Sequence, residues 1–466
     1  MLDGLLDRKP RILVLAPQRP AQHGNGSRVR SYHVIRALSG RGTVHLIQLP
    51  RHDGKTVSGE IRPYLASLQE APNSPKPQRG NSPRKRRRFA RNSLLAPWKV
   101  NQLDWLMEAR RLSLGKMESE PLGVDEIPFR QKLHAATLLT EVDLAHRWMG
   151  ISPTDSISAR AIPELVLPMV EQGPAREGID LIWLEHTHLL PLADPLRRRF
   201  PNAKLVCNSH NVLSTLHEAH ARIMTSSIAR RWHLVEARAC REMERRGLAA
   251  MDQVFCCSEQ DLGRIRELVP SARIRVWPNG VDPEFFAPTR PPDATPLLLL
   301  PGSMNYVPNS DGAIWFAHRV LPRIRERIPA CKLRIAGRGA SQTCGQLAVD
   351  DPAVEVLGKV PDMRPHFEQA SIVIVPLRAG SGTRLKILEA MAMERPVVST
   401  TIGAEGLLSE EEQRLLLADD EEQFAAAILE LLGDARKRSE LATEGRRFVS
   451  KRYDWNRLSA TALRNS

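Results

Sequence analysis

The sequence predicts an α/β protein made of two doubly wound parallel sheets in series, facing each other across a cleft. Three observations carry this. Short, unbroken apolar runs recur, among them Ile12-Leu13-Val14-Leu15, Leu181-Ile182-Trp183-Leu184, Leu297-Leu298-Leu299-Leu300 and Ile372-Val373-Ile374-Val375. Such runs have the length of strands and the continuity of strands buried on both faces. Windows with apolar residues at helical spacing lie between them. The rhythm stops at Pro288–Pro296, which has several prolines and few apolar residues, and then restarts.

Composition bounds the function. A chain of 466 residues suggests two or three domains with ample cores. No apolar run approaches a membrane span, and Met1–Asp7 has acidic residues and no signal-peptide core, so a cytoplasmic protein is expected. Six cysteines show no Cys-x-x-Cys pair, which fits a reducing compartment and gives no expectation of zinc. The net charge of +14 favours anionic partners without choosing among nucleic acid, anionic lipid and phosphorylated substrates. With 5% aromatic residues there is no platform for stacking bases, so nucleic acid is not an expected partner.

The first strand, Arg11–Ala16, leads into a loop holding Gly24 and Gly26, then a helix with Val29, Tyr32, Val34, Ile35 and Leu38 on its apolar face, then a strand over 43–49. Backbone at Gly24 and Gly26 can approach a ligand closely, although a plain connecting loop reads the same way. The stretch 72–92 breaks the pattern with Pro, Ser and Asn and with the run Arg84-Lys85-Arg86-Arg87-Arg88. It reads as a surface loop whose cations, over 84–91, suit an anionic membrane at about 1 kcal/mol each. A nuclear or RNA-binding signal and a merely solvated loop are its rival readings. Helical stretches such as Gln102–Ala109 follow within a region over 98–170 whose organisation the sequence does not give.

The α/β rhythm resumes at Ile179–Leu184, with Glu185-His186-Thr187-His188 at the strand's carboxyl end. The next strand, Lys204–Cys207, leads into Asn208-Ser209-His210-Asn211. Ligands of open parallel sheets sit beyond the carboxyl ends of the strands, so His186, His188 and His210 stand where chemistry is expected. An uncommitted loop histidine is the plainer reading of any one of them. Thr215–Gly247 reads as one or two long basic helices, then come strands at 253–258 and 273–277 and the turn Pro278-Asn279-Gly280-Val281-Asp282.

In the second half, Gly302-Ser303-Met304 follows the strand Leu297–Leu300, and Asn309 and Ser310 are expected to cap a helix running to about Ile328. Strands are expected at 332–336, 354–358, 371–377, 396–400 and 414–418, with two closing helices, the last holding Phe448, Tyr453, Trp455 and Leu458. The most informative stretch is Gly380-Ser381-Gly382-Thr383-Arg384-Leu385-Lys386-Ile387-Leu388-Glu389. A Gly-rich turn from a buried strand into a helix exposes N–H groups that favour anions, phosphate above all. Arg384 and Lys386 oppose the macrodipole of that helix, so they need another reason to be there, and a bound diphosphate supplies one. Glu389, about a turn past Lys386, can accept hydrogen bonds from sugar hydroxyls. A solvated helix start with an ordinary Lys–Glu pair is the bland alternative.

Val276–Asp282, Pro301–Met304, Leu333–Gly337, Gly358–Asp362 and Leu388–Val398, in that order, resemble family 4 glycosyltransferases, and bacterial sugar transferases of exopolysaccharide-type clusters in particular. The resemblance runs from about Arg11 to the C-terminus apart from about 72–170. It implies the GT-B fold: a Rossmann-like acceptor-side domain over 1–287, a donor-binding domain over 288–447, and a C-terminal helix over 448–466 that packs back on the first domain. It implies a retaining, hexosyltransferase-like transfer from a nucleotide-sugar donor to a saccharide or lipid-linked acceptor, at or near the cytoplasmic membrane face. Gly382, Thr383, Arg384 and Lys386 would hold the donor diphosphate and Glu389 the ribose. Lys359 and Val360 would edge the base. Gly302 and Ser303 match the first donor-domain loop, and Gly24 and Gly26 the loop facing the phosphates. His210 would lie beside the anomeric carbon, with His186 and His188 on the acceptor side.

Two departures stand out. Ser381 occupies the place of the first glutamate of the family's pair, which leaves the donor sugar open. The loop after Gly302 reads Met304-Asn305-Tyr306 and lacks the usual Arg or Lys, a charge that Arg384 and Lys386 would replace. No Asp-x-Asp constellation is present in the cleft loops, so no metal and no cofactor is expected. The rivals are another GT-B activity, such as a sugar-nucleotide epimerase or hydrolase, and a catalytically inactive GT-B scaffold, for which Ser381 is the best support.

Overall fold

The computed structural model describes residues 9–18, 20–24, 26–48, 59–70, 167, 170, 178–224, 227–290, 296–380, 383–407 and 414–464. The basic tract, the helical region before Val170 except for Leu167, and Ser381 and Gly382 lie outside them.

The first sheet has seven parallel strands in the order β3-β2-β1-β4-β5-β6-β7. Its strands are β1 (Arg11–Ala16), β2 (Thr43–Gln48), β3 (Ser67–Glu70), β4 (Leu181–Glu185), β5 (Lys204–Asn208), β6 (Gln253–Cys256) and β7 (Ile274–Val276). Chain order reverses at β1, where the strands wind outward in both directions. Helices α1 (Gly26–Ser39), α2 (Ala193–Arg199), α3 (Leu213–Ile223), α4 (Ser227–Ala249) and α5 (Glu259–Leu268) connect them. The central strands β1 and β4 carry unbroken apolar runs because both of their faces are covered. Leu13, Leu15, Ile182 and Leu184 enter one core, and Ile12, Val14, Leu181 and Trp183 the other. Each such side chain contributes about 1.5–3 kcal/mol by leaving water. The edge strand β3 is an addition to the sequence reading, which has no strand between 49 and 72.

The second sheet has six parallel strands in the order β10-β9-β8-β11-β12-β13. They are β8 (Leu297–Pro301), β9 (Lys332–Ala336), β10 (Val354–Gly358), β11 (Ile372–Val375), β12 (Val397–Ser399) and β13 (Leu416–Leu417). The main helices are α6 (Val307–Trp315), continued through a π turn into α7 (Leu321–Arg327), then α8 (Leu385–Ala392), α9 (Glu421–Gly433), α10 (Ala435–Arg452) and α11 (Trp455–Arg464).

Three expectations are corrected. Asn309 and Ser310 do not cap α6: the helix starts at Val307 with Pro308 in its first turn, and Asn309 uses its side chain on Ser303 and Lys386. Arg384 is not in the first turn of α8 but at its N-cap, in extended backbone, and only Lys386 lies within the helix. The last helix does not hold Phe448 and Trp455 together. The chain breaks at Tyr453-Asp454, where Asp454 bridges Val281 of the first unit. α11 then packs on α1, with Leu463 in the β1 core and the Trp455 ring stacked on His33 at 4.7 Å.

Candidate functional site

The register of the first sheet builds one half of the site. Glu185 ends β4 and stands opposite Asn208, which ends β5. Glu185 is fully buried, and its carboxylate accepts hydrogen bonds from Trp183 Nε1 (2.6 Å), Asn208 Nδ2 (3.0 Å), Ser31 Oγ (2.7 Å) and His210 Nε2 (2.9 Å). Burial pushes the Glu185 carboxyl up, but the hydrogen bonds from His210, Ser31 and Asn208 hold it below the usual carboxylate range. Burial pushes His210 down despite Glu185. The pair is therefore a carboxylate with a neutral imidazole. An ionised carboxylate only accepts, so the His210 proton sits on Nε2 and its Nδ1 carries a lone pair. That Nδ1 is buried with no hydrogen-bond partner among the described residues.

Arg30 of α1 completes this half from behind. It is 1% exposed, and its guanidinium reaches Asn208 Oδ1 at 2.7 Å, the Trp277 carbonyl at 2.7 Å and Asn279 Oδ1 at 3.1 Å. Sequence reasoning missed both Glu185 and Arg30. The available signals were a carboxylate at a strand's carboxyl end beside histidines and a cation on the apolar side of an amphipathic helix. His186 and His188 are buried and face each other, their Nδ1 atoms 2.5 Å apart, and the His186 ring lies 4.8 Å from that of His210. His186 is held at φ 105°, an unfavourable backbone for a non-glycine residue. Its imidazole is neutral, since burial and its two histidine neighbours push its pKa well down.

The other half sits at the carboxyl ends of β8 and β9, where Pro301 pairs with Ala336. The Gly302 N–H bonds the Ala336 carbonyl, and the Gly337 N–H bonds the Gly358 carbonyl. Gly302 has a φ of 144°, and a Cβ there would lie 2.7 Å from Lys386 Nζ. Lys386 Nζ donates to Asn309 Oδ1 at 2.8 Å, its one hydrogen-bond partner among the described residues. Lys386 keeps some surface in water, yet the protein packed around it pulls its pKa down to about 7, with Arg384 adding to the effect. Burial raises Glu389 to about 7, opposed by Lys386. Ser303 is tied to the Arg338 carbonyl and to Asn309. Lys359 and Val360 follow β10 at the sheet's outer edge, Lys359 exposed and Val360 half-buried.

The two halves meet. A Cβ on Gly26 would lie 3.1 Å from Leu385, so the loop after β1 rests on the start of α8, and Thr383 Oγ1 donates to the Cys257 carbonyl at 3.4 Å. Gly24, with φ 110°, has open space around it. Beside this contact a narrow gap between the units is lined by Gln22, His23, His33, Asp282, Leu385 and Glu389. The His23 ring stacks on Phe285 at 3.5 Å. Burial pushes His33 down to about 3, and neither of its nitrogens has a hydrogen-bond partner among the described residues. The second unit thus carries an anion-suited cradle at its strand ends, and the first a buried, neutral histidine at its own.

Two family models match the chain: "Glycosyltransferase Family 4" over residues 156–285 and "Glycosyl transferases group 1" over residues 295–434. Among curated relatives, a 44.6 kDa protein of the cps region of Klebsiella pneumoniae is 27% identical over 176 residues, 36% of this chain and 45% of that protein. Glycogen synthase of Mycobacterium tuberculosis is 26% identical over 270 residues, 54% of this chain and 62% of the relative. A GDP-mannose-dependent alpha-(1-6)-phosphatidylinositol monomannoside mannosyltransferase of Mycolicibacterium smegmatis is 25% identical over 356 residues, 68% of this chain and 87% of the relative. Among solved structures, the sucrose-phosphate synthase of Thermosynechococcus elongatus superposes with a TM-score of 0.63 at 16% identity, covering 98% of this chain and 97% of that one. HepE of Anabaena, solved in complex with UDP-glucose, gives 0.56 at 14% identity over 98% and 100% of the chains. These structures share the fold of this chain.

Proposed function

The chain belongs to the family 4 glycosyltransferases, with the GT-B architecture, and we propose that it moves a sugar from a nucleoside-diphosphate donor to a hydroxyl acceptor with retention of configuration, in polysaccharide or glycolipid synthesis. The observation that carries this reading is the cradle of Gly302, Asn309 and Lys386 beside the start of α8 in the second unit, together with the buried Glu185–His210 pair at the strand ends of the first.

In this reading the donor diphosphate lies against the N-terminus of α8. There Lys386 Nζ, with one proton engaged by Asn309, offers two more, and Arg384 adds a second cation. Both cations gain most when the sugar–phosphate bond breaks and charge accumulates on the leaving group. They take up the charge that a metal would otherwise neutralise. Glu389 accepts from the ribose hydroxyls. The acceptor hydroxyl gives its proton to an oxygen of the departing phosphate. His210 is a neutral hydrogen-bond acceptor: Glu185 fixes its tautomer so that Nδ1 receives a sugar hydroxyl beside the reacting carbon. His186 and His188 border the acceptor side. The residues at 84–91 give the protein a peripheral hold on an anionic membrane, which suits a lipid-linked acceptor. Among the described residues no helix is long and apolar enough to cross a membrane.

The test is thermal melting against UDP-, GDP- and ADP-linked sugars and the free nucleotides. Binding to the folded state raises the midpoint by mass action. A shift with one nucleotide class, lost in Arg384→Ala, supports the donor site. Absence of any shift, together with absence of turnover, overturns it. The second reading, an inactive GT-B scaffold, draws on Ser381 in place of a glutamate, and any turnover excludes it.

A further inference from the structure

We propose that the helix pair α3–α4 holds a structural transition-metal ion, Zn²⁺ by its donor set, with His217, Glu236 and Cys240 as ligands and His233 at the fourth position. The site is independent of the transfer reading and departs from the expectation that the protein has no metal.

The two helices place these side chains face to face. On α4, His233, Glu236 and Cys240 stand at i, i+3 and i+7, one stripe of the helix. On α3, His217 and His220 stand at i and i+3. A helix–helix seam is ordinarily apolar, whereas metal sites of helix bundles are built from ligands on such facing stripes. The ligating atoms of His217, Glu236 and Cys240 all lie within 4.8 Å of one another. His233 Nδ1 is 3.0 Å from His217 Nδ1. Tetrahedral zinc with bonds near 2.0–2.3 Å separates its ligands by about 3.3–3.8 Å, so small side-chain rotations close the shell.

Burial supplies the second argument. His217, His233, Glu236 and Cys240 are all 7% exposed or less. A buried carboxylate is costly unless its oxygens are satisfied. Glu236 Oε2 is buried with no hydrogen-bond partner among the described residues, and it belongs to this cluster. A cation bound there would satisfy it. One thiolate, imidazole nitrogens and one carboxylate form a borderline-soft set that selects Zn²⁺ over Mg²⁺ or Ca²⁺.

The position gives the ion a structural task. His210 leads directly into α3, whose first N–H groups are capped by the buried Glu244 of α4. At the other end of α3 the His220 ring lies 5.5 Å from Tyr306 of the second unit. A metal between α3 and α4 fixes the hairpin that connects His210 to the donor side.

The test uses full-length, tag-free protein, stripped with chelator and titrated with Co²⁺ as a spectroscopic probe, then with Zn²⁺. The expected result is saturation at a single ion per chain, a thiolate-to-cobalt absorption band, and a higher melting temperature with Zn²⁺. Cys240→Ala should abolish the band, and Glu236→Gln should weaken binding by more than about tenfold while keeping the band. Glu236→Gln keeps the side chain's volume, so it serves as the second variant if Cys240→Ala fails to fold. The proposal is overturned by stripped protein that takes up no Co²⁺, by saturation without a thiolate band, or by loss of the ion in His186→Ala with retention in Cys240→Ala.

Discussion

Glu185→Gln separates the tautomer argument from a merely structural one. The carboxylate accepts four hydrogen bonds. A glutamine can keep its oxygen towards Trp183 and Asn208, which have only donors to offer there. Its NH₂ then faces Ser31 and His210. Ser31 can turn its hydroxyl to accept. His210 can accept only by moving its proton from Nε2 to Nδ1. All four partners stay paired, and the loss is the charge-assisted part of the bonds, about 1 kcal/mol each before the saved desolvation of a buried charge is counted. The melting temperature should therefore fall by only a few degrees. At Nδ1, however, a donor now stands where a lone pair stood, facing a sugar hydroxyl. Losing that bond and leaving its group unpaired costs about 1–3 kcal/mol, or about 5- to 150-fold in kcat. The assay is turnover, or donor hydrolysis without acceptor, beside the nucleotide Kd and the melting curve. Glu185→Ala, which leaves four donors without their acceptor, is the destabilised comparison. A folded Glu185→Gln protein with kcat within twofold of the parent would refute the assignment of His210 as a lone-pair acceptor.

Other consequences are equally open to measurement. Lys386 is pulled down to about 7, so its ammonium predominates below that pH and is lost above it. The diphosphate affinity should therefore be greatest below about pH 7 and weaken above it by up to about tenfold per unit, read by calorimetry from pH 6 to 9. Lys386→Arg, whose charge persists, should flatten the slope, and an unchanged slope would remove Lys386 from the site. Lys386→Ala should raise the donor KM or lower kcat. If Nδ1 serves a sugar hydroxyl as proposed, His210→Ala should depress kcat strongly and leave nucleotide binding largely intact; equal turnover would rule the role out. Gly337 has φ 149°, and a Cβ there would lie 1.8 Å from the Gly302 carbonyl oxygen, so Gly337→Ala should destabilise by more than about 2 kcal/mol, seen as a lower urea midpoint.

Much of this molecule is legible along the chain because its signals are local. Unbroken runs such as Leu297–Leu300 identify doubly buried strands, and the glycines at 24, 302 and 337 mark connections whose backbone a side chain would obstruct or strain. The stretch from Ile372 to Glu389 announces a buried strand and then a helix because the residue period changes within it. Where a local reading failed, a longer-range contact overrode it. Asn309 looks like a cap and serves Lys386 instead, 77 residues away. The closing helix breaks at Asp454 because that segment docks on Val281.

The sequence by itself determined most of the strands, the faces they bury and the loops at their carboxyl ends, since these follow from residue periods and backbone preferences. The tertiary structure alone decided who meets whom. Parallel crossovers bring the end of β4 beside the end of β5 and let Arg30 reach Asn208 across 178 residues. The same holds for His217 and Glu236, on helices whose facing stripes no spacing reveals. A period of 3.6 fixes the side of a helix on which a residue stands, while its partner is set by packing, and burial then forces that partner to satisfy its charge.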